Sequence, residues 1–151
     1  MSDSLRVLVV DDEPDVRTVV GMNLDLAGME HGEAADGGEA IDMLNSGDWD
    51  ACILDLGLPD VDGLSVLQDL KESGRINDIS VVVLSARGSP DAAVQAMQLG
   101  AHAHLTKPFS PASVAQIVQE LTQLTPDDRA SRRSEMIDRA VELERLGMRT
   151  I

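Results

Sequence analysis

The chain predicts an α/β fold: a doubly wound parallel sheet of five strands with helices on both faces, followed by a charged C-terminal helix. Strand-like and helix-like segments alternate five times along the chain, which is the pattern of such a sheet. The strongest strand segments, residues 5–10 and 79–84, are β-branched and almost continuously apolar, as central parallel strands covered on both faces require. Three strand segments run into polar residues, Asp11 with Asp12, Asp55, and Ser85. In an open α/β sheet that edge is where ligands bind.

The elements follow in order. Residues 5–10 form the first strand, stopped by Asp11-Asp12-Glu13-Pro14. Pro14 suits the first position of a helix, with the acidic cluster at its positive end. Val16, Val19, Val20, Leu24 and Ala27 follow at helical spacing until Gly28. Residues 30–35 are a weak second strand. Asp36-Gly37-Gly38 reads as a turn, since the glycines lack the spacing of a dinucleotide loop, and Ala40, Ile41 and Leu44 mark a helix ended by Ser46-Gly47. Residues 50–54 are the third strand. After Asp55 comes a loop over residues 57–63, with Asp62 or Ser65 as cap of a helix carrying Leu64, Val66, Leu67 and Leu70, closed by Gly74. Residues 79–84 are the fourth strand, with residues 85–88 as its exit. Ser89-Pro90 opens the fourth helix, carrying Ala93, Val94, Met97 and Leu99 up to Gly100. Residues 101–105 make a short fifth strand. Ser110-Pro111 opens the fifth helix, with Val114, Ile117, Val118 and Leu121 as its apolar stripe.

We therefore expect a domain over residues 1–123, with residues 124–151 as a linker and charged helix. Thr125-Pro126-Asp127-Asp128 resembles a capping box, and Met136, Ile137, Ala140, Val141 and Leu143 form a partial stripe within residues 126–146. That segment reads either as a solvated, loosely docked helix or as a partner or dimer contact.

Composition narrows the functional classes. One Trp, one Phe and no Tyr make the core aliphatic, and a net charge of −15 disfavours nucleic acid and anionic membranes. The single Cys52 excludes an internal disulfide and a multi-cysteine metal site, and suits a small buried strand position. The N-terminus lacks an export signal, and no run nears the roughly 20 apolar residues of a membrane helix. A cytoplasmic location is expected. His31 and His102 are expected as surface or strand residues without chemistry.

Asp11, Asp12 and Asp55, at two strand ends, form a natural site for a hard divalent cation such as Mg2+. A carboxylate left free there can attack phosphorus to give an acyl phosphate. Lys107 and Ser85 lie at strand ends suited to contact the transferring oxygens.

Together, Val9-Val10-Asp11-Asp12-Glu13-Pro14, Leu54-Asp55-Leu56-Gly57-Leu58-Pro59 with Asp62-Gly63, Leu84-Ser85-Ala86 and Lys107-Pro108-Phe109 resemble the CheY-like receiver domain of two-component response regulators, over roughly residues 5–123. The resemblance implies a flavodoxin-like sheet with strand order 2-1-3-4-5. It implies Asp55 as phosphoacceptor, Asp12 and Asp55 as direct Mg2+ ligands, Asp11 largely through water, and the Gly57 carbonyl as a further ligand. Ser85 matches the hydroxyl that turns toward the phosphoryl group, Lys107 the lysine that pairs with it, and the bond to Pro108 is expected to be cis. Where the family usually carries Tyr or Phe as a rotameric switch, this chain has His104, whose imidazole titrates near neutral pH.

The implied function is a signalling module that accepts a phosphoryl group from a histidine kinase or phosphotransfer protein and then shifts the surface of the fourth helix, fifth strand and fifth helix. Two alternatives stand beside it. One is a receiver-like interaction module that works without phosphorylation, which the intact acidic pair, acceptor, hydroxyl and lysine argue against and His104 leaves open. The other is a phosphohydrolase of the haloacid dehalogenase type, whose second acid would fall on Gly57. Enzymatic turnover is not expected beyond self-phosphorylation and autodephosphorylation. No helix-turn-helix or basic groove follows residue 123, so the output is expected from a protein partner, a homodimer or an effector domain beyond this chain.

Overall fold

The computed structural model describes residues 4–86 and 90–145. Strands β1 (Arg6–Val10), β2 (Glu30–Ala34), β3 (Ala51–Asp55), β4 (Ser80–Ala86) and β5 (Ala103–Lys107) form one parallel sheet in the order β2-β1-β3-β4-β5. They alternate with helices α1 (Pro14–Leu26), α2 (Gly37–Ser46), α3 (Gly63–Glu72), α4 (Pro90–Leu99) and α5 (Pro111–Thr122), and α6 (Pro126–Arg145) follows. A short 3-10 turn at Arg75–Asn77 precedes β4.

Side-chain alternation along the strands divides the core in two. Val7, Val9, Ile53, Val82 and Leu84 pack with Val20 and Leu24 of α1 and Val114, Val118 and Leu121 of α5. Leu8, Val10, Cys52, Leu54, Val81 and Val83 pack with α2, α3 and α4 through Ala40, Leu44, Val66, Leu67, Leu70, Ala96 and Met97. Each fully buried Val, Leu or Ile contributes about 1.5–3 kcal/mol of transfer free energy. The edge strand β2 is only partly covered, which is why its sequence is polar and its signal weak.

Several boundaries differ from the sequence reading. β3 includes Asp55, β4 runs on through Ser85 to Ala86, and β5 starts at Ala103 rather than Ala101 and includes Thr106 and Lys107. Ladder hydrogen bonds to the neighbouring strands carry these polar residues along, so side-chain polarity does not end the strands. Gly37 and Gly38 open α2 instead of forming a separate turn, with Asp36 as the cap accepting from Glu39 N. Asp62 caps α3 and Ser65 lies inside the helix. Ser110 precedes α5 without a side-chain cap bond. Arg87, Gly88 and Ser89 lie outside the described residues, as do the side chains of Met136, Ala140, Val141 and Leu143.

The start of α6 is fastened to the domain. Thr125 Oγ1 accepts from Asp128 N at 3.1 Å, half of the predicted capping box. Arg129 is buried, and its guanidinium donates to Leu124 O at 3.1 Å and to Asn77 O at 2.8 Å. Ile137 packs against the α2–α4 side of the core. The segment that the sequence offers as a solvated, loosely docked helix or a partner contact is thus held to the domain at Arg129 and Ile137. Among the described residues no helix is long and apolar enough to cross a membrane.

Candidate functional site at the carboxyl edge of the sheet

Asp11 follows β1 directly and Asp55 ends β3, and these strands are paired neighbours. Adjacency alone therefore brings the two carboxylates together. Both are buried, whereas Asp12, one residue on, is exposed. One carboxylate oxygen from each of Asp11, Asp12 and Asp55 can be chosen so that all three lie within 4.8 Å of one another. Two carboxylates are anchored by nearby backbone: Glu13 N donates to Asp11 Oδ1 at 2.9 Å and Gly57 N to Asp55 Oδ1 at 3.0 Å.

Lys107, the last residue of β5, reaches both buried acids. Its ammonium lies 3.0 Å from Asp11 Oδ2 and 3.3 Å from Asp55 Oδ2. One cation facing two buried carboxylates leaves a net negative site even before Asp12 is counted. Burial pushes the Asp55 carboxyl above its ordinary pKa of 3.8; the Gly57 amide and Lys107 pull it down, and Asp11 adds to the upward push. Burial works to lower the Lys107 pKa, but its contacts with Asp11 and Asp55 outweigh that, and the ammonium is held more firmly than usual. The donor set is all oxygen, clustered and undercompensated in charge, which fits a hard divalent ion such as Mg2+. The peptide bond from Lys107 to Pro108 is cis.

Ser85 and His104 stand on adjacent strands, with Val83 opposite His104 and Ser85 opposite Thr106. Ser85 Oγ and His104 Nε2 are 2.7 Å apart, in hydrogen-bond contact. Alternation puts both on the α4 side of the sheet, with Val81 and Val83, while Asp55 shares the parity of Ile53 on the other side. Burial lowers the His104 pKa from 6.5, favouring the neutral ring.

The family model of the response regulator receiver domain matches residues 7–119. The chain belongs to this family. The receiver is 42% identical over 118 residues to the transcriptional regulatory protein PrrA of Mycobacterium tuberculosis, an alignment covering 78% of this chain and 50% of that protein. It is 37% identical over 122 residues to the phosphate regulon transcriptional regulatory protein PhoB of Escherichia coli, covering 80% of this chain and 53% of PhoB. The chain thus spans about half the length of these curated relatives. The receiver domain of Francisella response regulator 1452 superposes with a TM-score of 0.73 at 30% identity, covering 80% of this chain and 98% of that one.

Other features of the receiver escaped the sequence reading. His102 is buried and structural: its Nδ1 accepts from Val81 N at 3.0 Å while His102 N donates to Val81 O at 2.8 Å, so the imidazole extends the strand pairing. On α1, Val19, Met22 and Leu26 are exposed, a stripe at helical spacing that no sequence signal distinguishes from a buried face. Beside it lies a groove of about 550 Å3 lined by Val16, Val19, Val20, Ala86, Phe109 and Lys107, among others. The groove opens next to the acidic site through Lys107.

Proposed function

We propose that this receiver accepts a phosphoryl group on Asp55 from the phosphohistidine of a sensor histidine kinase or phosphotransfer protein, and signals by the resulting change at the sheet edge. The observation that carries this reading is the company of Asp55. It is a buried carboxylate clustered with Asp11 and Asp12, with one ammonium at 3.3 Å. Asp11, Asp12, Asp55 and the Gly57 carbonyl would hold Mg2+, which when bound supplies positive charge for the transferring oxygens. A carboxylate oxygen of Asp55 attacks phosphorus; the O–P bond forms as the donor's N–P bond breaks, and the imidazole leaves with a proton from solvent. Lys107 stabilises the charge developing on the phosphoryl oxygens. The groove beside Lys107, with the exposed apolar stripe of α1, offers the donor's histidine-bearing element a seat next to the acceptor.

The output reading rests on Ser85 and His104. In the unphosphorylated protein the hydroxyl is engaged with the imidazole at 2.7 Å. A phosphoryl oxygen on Asp55 competes for that hydroxyl, and the change passes through His104 to the α4 side, biasing two conformations that already exist. The unit so switched is residues 1–123, with the docked start of α6 lying against α4 where a protein partner, second copy or effector domain would sense the change. We place the protein in the cytoplasm, with no direct nucleic-acid contact from this acidic chain. A small phosphodonor with Mg2+ should add one phosphoryl group by mass; equal incorporation in Asp55→Asn refutes the assignment.

A further inference from the structure

Residues 56–62 join β3 to α3 and include Gly57, whose carbonyl belongs to the proposed metal set. This loop is fastened at both ends. Leu56 N donates to Leu84 O at 2.9 Å and Gly57 N to Asp55 Oδ1 at 3.0 Å. At the far end Asp62 Oδ1 accepts from Ser65 N at 2.8 Å, and Gly63 N donates to Leu56 O at 3.3 Å.

The middle of the loop is tied to a different element. Asp60 Oδ1 accepts from Gly37 N at 2.8 Å and Oδ2 from Gly38 N at 3.1 Å, so one carboxylate bridges the first two amides of α2. Those amides have no partner within their own helix, and the helix dipole favours an anion there. Yet α2 already carries its own cap, Asp36, which accepts from Glu39 N at 2.8 Å. Asp60 is thus not required to start the helix; the helix end instead anchors the loop. The fit is close. A side chain at Gly37 would collide with the Val61 carbonyl oxygen, and a Cβ at Gly38 would come within 3.3 Å of Asp60 Oδ2.

We infer that Asp60 is a positioning residue for the metal: by tying residues 57–62 to α2 it holds Gly57 beside Asp55, so the N-terminus of α2 and the metal site are mechanically one unit. This rests on the phosphoacceptor reading above. Partners that orient metal ligands from outside the ligand set affect affinity by about 10–100-fold, and a single staple on a loop already fixed at its ends belongs at the lower limit.

The test is calorimetric titration of the whole chain with MgCl2, without any phosphodonor. Asp60→Ala should bind Mg2+ about tenfold more weakly than wild type, and exchange at the Gly37 and Gly38 amides should accelerate. Asp60→Asn, which keeps one acceptor oxygen, should fall between. Asp36→Ala removes the same charge from the same helix end but leaves the loop staple intact; it should lower stability and keep wild-type Mg2+ affinity. Unchanged affinity in Asp60→Ala overturns the inference, and so does an equal loss in Asp36→Ala, because charge alone would then account for the effect. A wild-type protein that takes up no Mg2+ overturns the phosphoacceptor reading and this one together, whereas a binding wild type with a neutral Asp60→Ala overturns this one alone.

Discussion

Asp55→Asn should make the metal-free protein more stable at neutral pH, although it removes the proposed phosphoacceptor. Asp55 is 5% exposed, and burial together with the Asp11 carboxylate holds its pKa above the usual 3.8. The ionised form is therefore a cost to the fold, because a raised carboxyl pKa means that the folded protein disfavours the charged state. The amide keeps an oxygen for the Gly57 N–H and removes the charge. Lys107 retains Asp11 at 3.0 Å, so the loss is one 3.3 Å contact of an ammonium whose side chain is 23% exposed, a contact that solvent discounts to about 0–1 kcal/mol. The expected balance is a gain of about 1 kcal/mol. A raised carboxyl pKa contributes stability below the unfolded value and loses it as pH rises through the folded value. The variant's advantage should thus be absent at pH values below the ordinary 3.8, grow as pH rises through the folded value, and then level off. Urea unfolding in a chelator, followed by the single Trp49, measures this, and the denaturant slope should stay constant. Added Mg2+ should reverse the order, since ligand at tenfold above its dissociation constant stabilises the wild type by about 1.4 kcal/mol. A variant less stable than wild type at neutral pH without metal refutes the reasoning, as does a gain that does not depend on pH.

Three further substitutions and one chemical probe test other parts of the structure. Burial lowers the His104 pKa from 6.5, so its contribution to stability is present above that value and lost as pH falls through the folded one; His104→Gln should flatten the wild-type decline in urea midpoint on the acid side. His102→Leu leaves the buried Val81 N–H without its imidazole acceptor and should cost about 1–3 kcal/mol in the same assay. Arg129→Ala removes the donors to Asn77 O and Leu124 O. It should speed amide exchange at the start of α6 and lower stability by about 1.5–3 kcal/mol. Cys52 is buried with its thiol pushed up to about 12, so a thiol reagent should modify it only as the protein unfolds.

The sequence by itself determined the alternating fold, because continuous β-branched runs and capped amphipathic segments are local signals that need no partner to be read. It also determined the acidic site, since residues ending neighbouring parallel strands must meet at one edge whatever the packing elsewhere. Asp11, Asp55 and Lys107 are legible for that reason, as is the opening of α1 at Pro14. Polar residues at strand ends misled the boundaries of β4 and β5, because pairing with neighbours rather than side-chain polarity decides where a ladder stops. The tertiary structure alone decided which polar side chain meets which. Nothing in the composition of residues 126–146 distinguishes buried Arg129 from a solvated arginine until Asn77 is placed beside it. Asp60 is one more residue of the loop over residues 57–63 until the α2 amides arrive to meet it. His104 and Ser85 are 19 residues apart, and only the register of β4 against β5 puts the imidazole on the hydroxyl. Contacts of this kind depend on packing between distant segments, which no local pattern encodes.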